Sequence, residues 1–402
     1  MVTLDDVKQA RERVRDEVYL SPFGISQTLS KWTGYKVHLK LENLQMTGSF
    51  KERGALNKIL SLTPEEKARG AITASAGNHA QGVAYHGTKQ GMRVTIVMPE
   101  PTPLIKVAAT REFGAEVILH GNNYDDAYEH ARQIEAEKGL VFIHPFNDSL
   151  IVAGQGTIGL EMMEQAPQIE AAVVPVGGGG LISGIAIAMK ETNPKIKIIG
   201  VEAERCPAMK TSLENGQVEN VAAVHSLADG IAVKRVGDLT YEIVQNYVDQ
   251  MVTVSEEEIA QAILLLMERE KSVVEGAGAA TLAALLGEKF WIKERNVGLV
   301  LSGGNIDVNI LSRIIERGLA QDGRMVRLMV AMPDAPGVLH DVSGHIAQCR
   351  GNVVDVRHDR AFSNVPVGIA HVIFTLETRG REHIDEIKAS IDTAGYEVQE
   401  LE

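Results

Sequence analysis

The strongest constraint on this chain is a grammar. From residue 36 to residue 319, short apolar runs with strand character alternate with stretches of helical period. The runs at 36–42, 71–74, 93–98, 116–120, 140–143, 171–176, 197–201 and 297–301 read as strands. Those at 107–113, 124–138, 157–165, 181–191, 259–271, 278–286 and 308–319 read as helices. Such alternation predicts parallel strands joined by crossover helices, a doubly wound α/β fold. The core has little aromatic material to draw on. Aromatics are 4% of the chain against 45% hydrophobic residues, and 38 glycines let Ala, Val, Leu and Ile pack closely.

The last seventy-odd residues follow another rule. Strands at 326–332, 352–359, 370–378 and 396–401 and helices at 337–348 and 383–394 give the order βαββαβ, that of a ferredoxin-like domain. Two helices cover only one sheet face, so pairing with a second copy is expected. The polar stretch 320–324 reads as the linker between a domain at 1–320, with a smaller lobe at roughly 53–150, and one at 325–402.

A net charge of −13 argues against general nucleic-acid binding. Cys206 and Cys349 stand far apart, which suggests neither a disulfide framework nor a cysteine metal site. The N-terminus reads as an amphipathic helix over 3–15, capped by Thr3, and no apolar run approaches the roughly 20 residues of a membrane span. A cytoplasmic protein is the expectation.

Four stretches carry chemistry, each at a strand-to-helix junction. After the alternating strand 36–42 come Thr47-Gly48-Ser49-Phe50-Lys51-Glu52-Arg53 and a helix. Ser49 reads as its N-cap, and Glu52 completes a capping box. Lys51 then lies in the first turn, where the helix dipole disfavours a cation. Either its ammonium reaches solvent, or dipole and burial leave a neutral amine suited to imine chemistry. Gly177 to Gly180 join a buried strand to a helix. They form a tight turn or, with backbone N–H groups at a helix start, a phosphate site. The spacing does not fit the dinucleotide fingerprint, which favours one phosphate over a pyrophosphate. Ser75-Ala76-Gly77-Asn78-His79 is a capping turn or a carboxylate site, with Ser75, Asn78 and His79 as candidate substrate contacts. Ser302-Gly303-Gly304-Asn305 places a hydroxyl at a strand's C-terminal end. A lysine, a phosphate loop, a carboxylate loop and a hydroxyl at one sheet edge point to pyridoxal 5′-phosphate.

With these motifs in this order, the first 320 residues resemble the threonine/serine dehydratase family of tryptophan-synthase-β-like (fold type II) pyridoxal-phosphate enzymes. The resemblance implies a two-lobed fold with the cofactor between the lobes. It implies Lys51 as the lysine that carries the cofactor and acts as base. Phe50 would lie against the ring, Asn78 would bond the ring hydroxyl, Gly177, Gly178, Gly179 and Gly180 would hold the phosphate, and Ser302 would face the pyridine nitrogen. The implied reaction takes L-threonine to 2-oxobutanoate and ammonia, with L-serine to pyruvate as a side activity. Racemase relatives carry a serine where this chain has Ala76. They also bind a divalent cation through a Glu, matched by Glu202, and an Asp, replaced by Ala208, so no metal site is expected. The tail resembles an ACT regulatory domain through Asp334-Ala335-Pro336-Gly337-Val338-Leu339 and Asn352. That implies an amino-acid effector and a homo-oligomer, dimer or tetramer. Other fold type II activities, such as serine racemase or threonine synthase, and a catalytically inactive amino-acid sensor stay open, as does biosynthetic (isoleucine) against catabolic duty.

Overall fold

The structure, a computed structural model, describes residues 2–222, 225–359 and 366–401. The chain divides into two compact units, Met1–Ile306 and Asp307–Glu402. In chain order the strands are β1 (Phe23–Ile25), β2 (Lys36–Leu41), β3 (Ala71–Ala74), β4 (Val94–Met98), β5 (Glu116–Leu119), β6 (Val141–Phe142), β7 (Ala171–Pro175), β8 (Lys197–Ala203), β9 (Gln250–Val254), β10 (Asn296–Leu301), β11 (Met325–Pro333), β12 (Asn352–Asp359), β13 (Ile369–Glu377) and β14 (Glu397–Leu401).

The first unit holds two sheets. One is fully parallel, in the order β5-β4-β3-β6. The other runs β1-β2-β10-β7-β8-β9 and is parallel except for β1. Strands β3, β4 and β7 are buried throughout, as helix-covered parallel strands must be. Each sheet has a point where strand order reverses, between β3 and β6 in the first and between β7 and β10 in the second. Crossover helices diverge there and leave a crevice beyond the strands' C-terminal ends. The segments leaving those four strands are 75–77, 143–148, 176–179 and 302–307. The fold therefore delivers three of the four chemistry-bearing turns to switch points, and β2, beside β10, delivers the fourth.

Strand β2 carries the main surprise of packing. Its alternation is present, but the polar face is not at a surface: His38 and Lys40 are buried, as is Glu42 just beyond. Lys40 Nζ donates to Glu161 Oε2 at 2.6 Å, Ser21 O at 2.9 Å and Gln165 Oε1 at 2.9 Å. The Arg53 guanidinium grips Glu42 through Nε and Nη2 at 2.7 and 2.8 Å, and Glu161 through Nη1 and Nη2 at 2.6 and 2.9 Å. Two cations and two carboxylates thus join β2, the lysine-bearing helix Lys51–Leu60 and the long helix Ser149–Gln165. Those two helices also touch backbone to backbone: a Cβ on Gly154 would lie 2.7 Å from Gly54 Cα.

Two expectations need correction. The helix after the Thr47 loop starts at Lys51, and Phe50 is its N-cap without a side-chain bond. Ser49 is instead drawn into an isolated bridge with Gly303, and Phe50 N–H donates to Ser302 O at 3.0 Å. Glu52, freed from a capping box, accepts from Thr47 N and Oγ1, both at 2.8 Å. The second correction concerns 320–324. The helix Val308–Gln321, capped by Asp307, belongs to the second unit, so the polar residues there are an exposed helix end and a short turn.

In the second unit that helix precedes a four-stranded antiparallel sheet in the order β12-β13-β11-β14. Leu328, Val330, Val372 and Phe374 on one sheet face bury against Val342 and Ile346 of the helix Val338–Gln348 and against Ile384, Ile387 and Ile391 of the helix Arg381–Thr393. Strand and helix order is βαββαβ.

The buried cluster has a testable cost. Replacing Arg53 by Met leaves Glu42 and Glu161 without their shared partner. The expected loss of folding stability is about 3–5 kcal/mol, read as a lower midpoint in urea unfolding.

Candidate active site

The crevice is built from helix starts. Helices Lys51–Leu60, Asn78–Lys89, Gly180–Thr192 and Gly276–Leu286 all begin there, and none has a side-chain cap at its N-cap residue. Their first N–H groups have no partner within the helix and carry the positive end of its dipole. Such ends suit an anionic ligand.

Lys51 Nζ donates to Pro145 O at 2.9 Å and lies 5.3 Å from the centroid of the Phe50 ring. Burial pulls its ammonium down to about 8, against Glu275, which pulls the other way. Of the two readings of this lysine, this lowering favours the second, with loss of water as its largest cause. Pro145 lies on the segment that leaves β6. Its neighbour Phe146 covers the glycine loop, because a Cβ on Gly178 would lie 2.3 Å from that ring. The lysine and the glycines therefore meet at Pro145 and Phe146.

In the glycine loop the geometry demands the residue type. Gly179 has φ of +92°, and a Cβ there would lie 2.7 Å from Met209 Cε and 2.8 Å from Thr240 Cβ. Thr240 Oγ1 donates to Gly178 O at 2.6 Å and fixes the turn from outside. The loop leaves the start of the apolar helix Gly180–Thr192 buried, with its amides bare of side chains.

The three remaining turns interlock. Gly304 N–H donates to Gly48 O at 2.9 Å, and Asn305 Nδ2 donates to Thr47 O at 2.9 Å and to Asn78 Oδ1 at 2.7 Å. Asn78 Nδ2 in turn donates to Glu275 Oε1 at 2.7 Å. Ser302 is buried beside Phe50 through the bond of its carbonyl. Ser75 Oγ accepts from Gly77 N–H at 3.3 Å, which closes the turn. The His79 ring faces away, its Nε2–H donating to Ile143 O at 3.0 Å; burial, then Lys51, brings its pKa down to about 3. Its Nδ1 is buried without a hydrogen-bond partner, and its backbone N–H lies in the first turn of the helix Asn78–Lys89. The carboxylate of Glu202 accepts from Met209 N–H and Lys210 N–H at 2.7 and 2.8 Å, capping the helix Ala208–Asn215.

Three participants were not visible in the sequence as site residues: Pro145, Phe146 and Glu275. A signal existed for the first two, since His144-Pro145-Phe146-Asn147-Asp148 lies between a strand and a capped helix. Glu275 had none, being a single carboxylate ahead of an apolar helix.

Residues 15–303 match the family described as pyridoxal-phosphate dependent enzyme, and the chain belongs to that family. It is similar to an L-threonine ammonia-lyase of Thermotoga maritima, 51% identical over 99% of both chains. Among solved structures it resembles a threonine deaminase from T.th., with 41% identity, a TM-score of 0.72, and 76% of this chain and 99% of that one covered. It also resembles a maize serine racemase, with 33% identity, a TM-score of 0.75 and coverage of 80% and 98%.

The residues present fit pyridoxal phosphate. A buried, uncapped glycine cradle suits its phosphate, a lysine with a lowered pKa suits its carbonyl carbon, and Ser49 Oγ is buried without a partner. A Gly179→Ala variant should lose about tenfold in cofactor affinity, because the empty loop would relax out of the left-handed turn and binding would have to restore it at a cost of about 1–2 kcal/mol. Equilibrium titration of the apoenzyme with cofactor, followed by absorbance, checks this.

Proposed function

We propose that this chain is an L-threonine ammonia-lyase, converting L-threonine to 2-oxobutanoate and ammonia, with L-serine to pyruvate as a side activity. The observation that carries the reading is Lys51, an amine depressed to about 8 at the junction of four bare helix starts. The Thermotoga relative, alike over its whole length, supports it.

Each residue then has a task. Backbone N–H groups of Gly177 to Gly180 hold the cofactor phosphate, Phe50 supports the ring, Asn78 bonds the ring oxygen and Ser302 faces the ring nitrogen. Bound pyridoxal phosphate supplies an electron sink for the pair left when a bond at the α-carbon breaks. Lys51 Nζ takes the α-proton as general base, which requires the neutral amine that burial favours. The turn Ser75 to His79 receives the substrate carboxylate at the start of the helix Asn78–Lys89. Ser302 brings a hydroxyl and no carboxylate, so the ring nitrogen gains no full counter-charge, and prompt loss of the β-hydroxyl is favoured over a long-lived carbanion. Racemisation needs a second proton carrier at position 76, where this chain has the methyl of Ala76. A serine racemase is therefore the weaker reading despite the likeness to the maize enzyme.

The second unit, from β11 to β14, is read as an ACT-like regulatory domain in a cytoplasmic homo-oligomer. Gly337, at φ of +95°, opens the helix Val338–Gln348 without a side-chain cap and offers its amides to an amino-acid carboxylate. Asn352 spends its Nδ2 on Glu377 at 2.8 Å and keeps its oxygen for an amine.

Lys51→Ala should abolish keto-acid formation from threonine and the visible absorbance of the lysine-linked cofactor. Turnover within about tenfold of wild type, when general-base catalysis alone is worth roughly 10²–10⁴-fold, would overturn the assignment. Isoleucine or valine should move the apparent threonine affinity of the full chain roughly 5- to 150-fold, and Asn352→Ala should blunt the response. Unchanged threonine saturation curves with both amino acids would remove the effector reading and leave the catalytic one intact.

A further inference from the structure

Asn78 sits in the middle of a directed chain of hydrogen bonds. The chain starts at a group that cannot change role, the backbone carbonyl of Thr47. Asn305 Nδ2 donates to that carbonyl at 2.9 Å, which fixes which end of the Asn305 amide is nitrogen. The same nitrogen donates to Asn78 Oδ1 at 2.7 Å, which fixes the Asn78 amide in turn. Asn78 Nδ2 then donates to Glu275 Oε1 at 2.7 Å. Turning the Asn78 amide over would oppose two donors at Asn305 and, when Glu275 is ionised, two acceptors there, so the Asn305 end closes the flip in either protonation state. Of the two Asn78 N–H bonds one is spent on Glu275, and one is left for a ligand.

Glu275 is an unusual residue to find spent this way. It occupies the N-cap position of the helix Gly276–Leu286, yet its side chain makes no capping bond. Its backbone N–H donates to Gly303 O at 3.0 Å, and the residue is 5% exposed. A Cβ on Gly303 would lie 2.4 Å from Glu275 Oε1 and 3.1 Å from Asn78 Nδ2, so the glycine makes room for the pair. Burial raises the carboxyl to about 7; Asp229 adds to the rise, while the Asn78 bond, Lys106 and Lys51 oppose it. Asp229 and Lys106 are themselves paired at 2.8 Å.

We propose that Glu275 is a positioning residue for the cofactor site: with Asn305 it locks the Asn78 amide in one orientation, so that a single N–H is held ready for the ring oxygen. The inference rests on the reading of Asn78 given above and adds the residues that aim it. Either protonation state of Glu275 accepts from Asn78 through Oε1, so the lock is a matter of shape and donor direction.

The holoenzyme and its variants test this by cofactor dissociation and by the absorbance spectrum of bound cofactor against pH. Glu275→Ala should weaken cofactor binding about tenfold, the worth of one buried hydrogen bond, and Glu275→Gln, which keeps the acceptor oxygen, should restore most of it. The double variant Glu275→Ala/Asn78→Ala should bind no worse than Asn78→Ala alone, because residues acting through one another are not additive. Losses that multiply, or an alanine variant that binds as wild type, would overturn the proposal. Should Glu275→Ala not fold, Asn305→Ala releases the other end of the lock and is expected to show the same loss; wild-type affinity there is equally fatal. An Asn78→Ala variant with unchanged affinity and spectrum would mean that the reading of Asn78 itself is wrong. Loss on Asn78→Ala without loss on Glu275→Ala would defeat only the positioning role.

Discussion

The placement of Lys51 depends on the ion cluster around Arg53. Two positions along a helix are a rotation of roughly 200°, so Arg53 and Lys51 leave their shared helix on opposite sides. Arg53 points into the body of the unit, where Glu42 and Glu161 meet it in two bidentate pairs and Lys40 shares Glu161. The formal charges sum to zero, so the cluster carries no net charge. Desolvating four charged groups costs most of what their attraction returns, and apolar side chains of the same volume would give comparable stability. A guanidinium fork has a restriction that apolar packing lacks: it fits two carboxylates in one register only. Strand β2, the lysine helix and the helix Ser149–Gln165 are therefore held at one relative height, and Lys51 with them.

The opposite economy governs the crevice itself. Thr3, Ser26, Thr63, Asn123, Asp148 and Ser255 each cap a helix elsewhere, while the helices Leu104–Glu112, Asp238–Tyr247, Val338–Gln348 and Arg381–Thr393 also start without a cap from their N-cap residue. The four helix starts around the crevice go without side-chain caps. On the proposed reading a bound cofactor and substrate would meet amides at these ends, so the loaded protein would be more stable than the empty one by the usual mass-action relation. Rigid strands at the switch points and a registered lysine helix let the site leave those ends bare.

Local signals were legible in the sequence, and long-range ones were not. Parallel strands joined by helices follow from alternation, whereas the strand order and the division into two sheets do not, and the glycine turns stand out as strand-to-helix junctions. Alternation in β2 marked two unlike faces but could not say that the polar face is buried, since its partner Glu161 comes 121 residues after Lys40. The Ser49 cap fails for the same reason: the bridge to Gly303 removes Ser49 from the helix start. The helix read at 157–165 in fact begins at Ser149. Gly154 and Gly156 lie within that helix, where Gly54 and Gly184 approach. Glu275 is the clearest case, for its role exists only once β10 has carried Gly303 to its side.

The choice of reaction follows from what the crevice withholds. A cofactor that stabilises charge at an α-carbon permits several outcomes, and the side chains that move protons select among them. The imidazoles near Lys51 are removed from that work. His79 spends Nε2–H on Ile143 O, and His144 Nδ1 accepts from Phe146 N–H and Asn147 N–H at 3.2 and 2.8 Å. Burial, with Lys51 beside them, holds both well below neutrality, to about 3 and about 4, so neither brings a proton to the site at neutral pH. Position 76 carries a methyl. On the proposed reading that leaves Lys51 Nζ as the carrier of the α-proton. One carrier returns a proton only to the side from which it came, so a substrate with a leaving group on its β-carbon loses that group before its configuration can invert. Selectivity for elimination thus needs no residue devoted to it. On that reading it results from neutral histidines, a methyl at position 76, and one lysine held in register by an arginine two residues away.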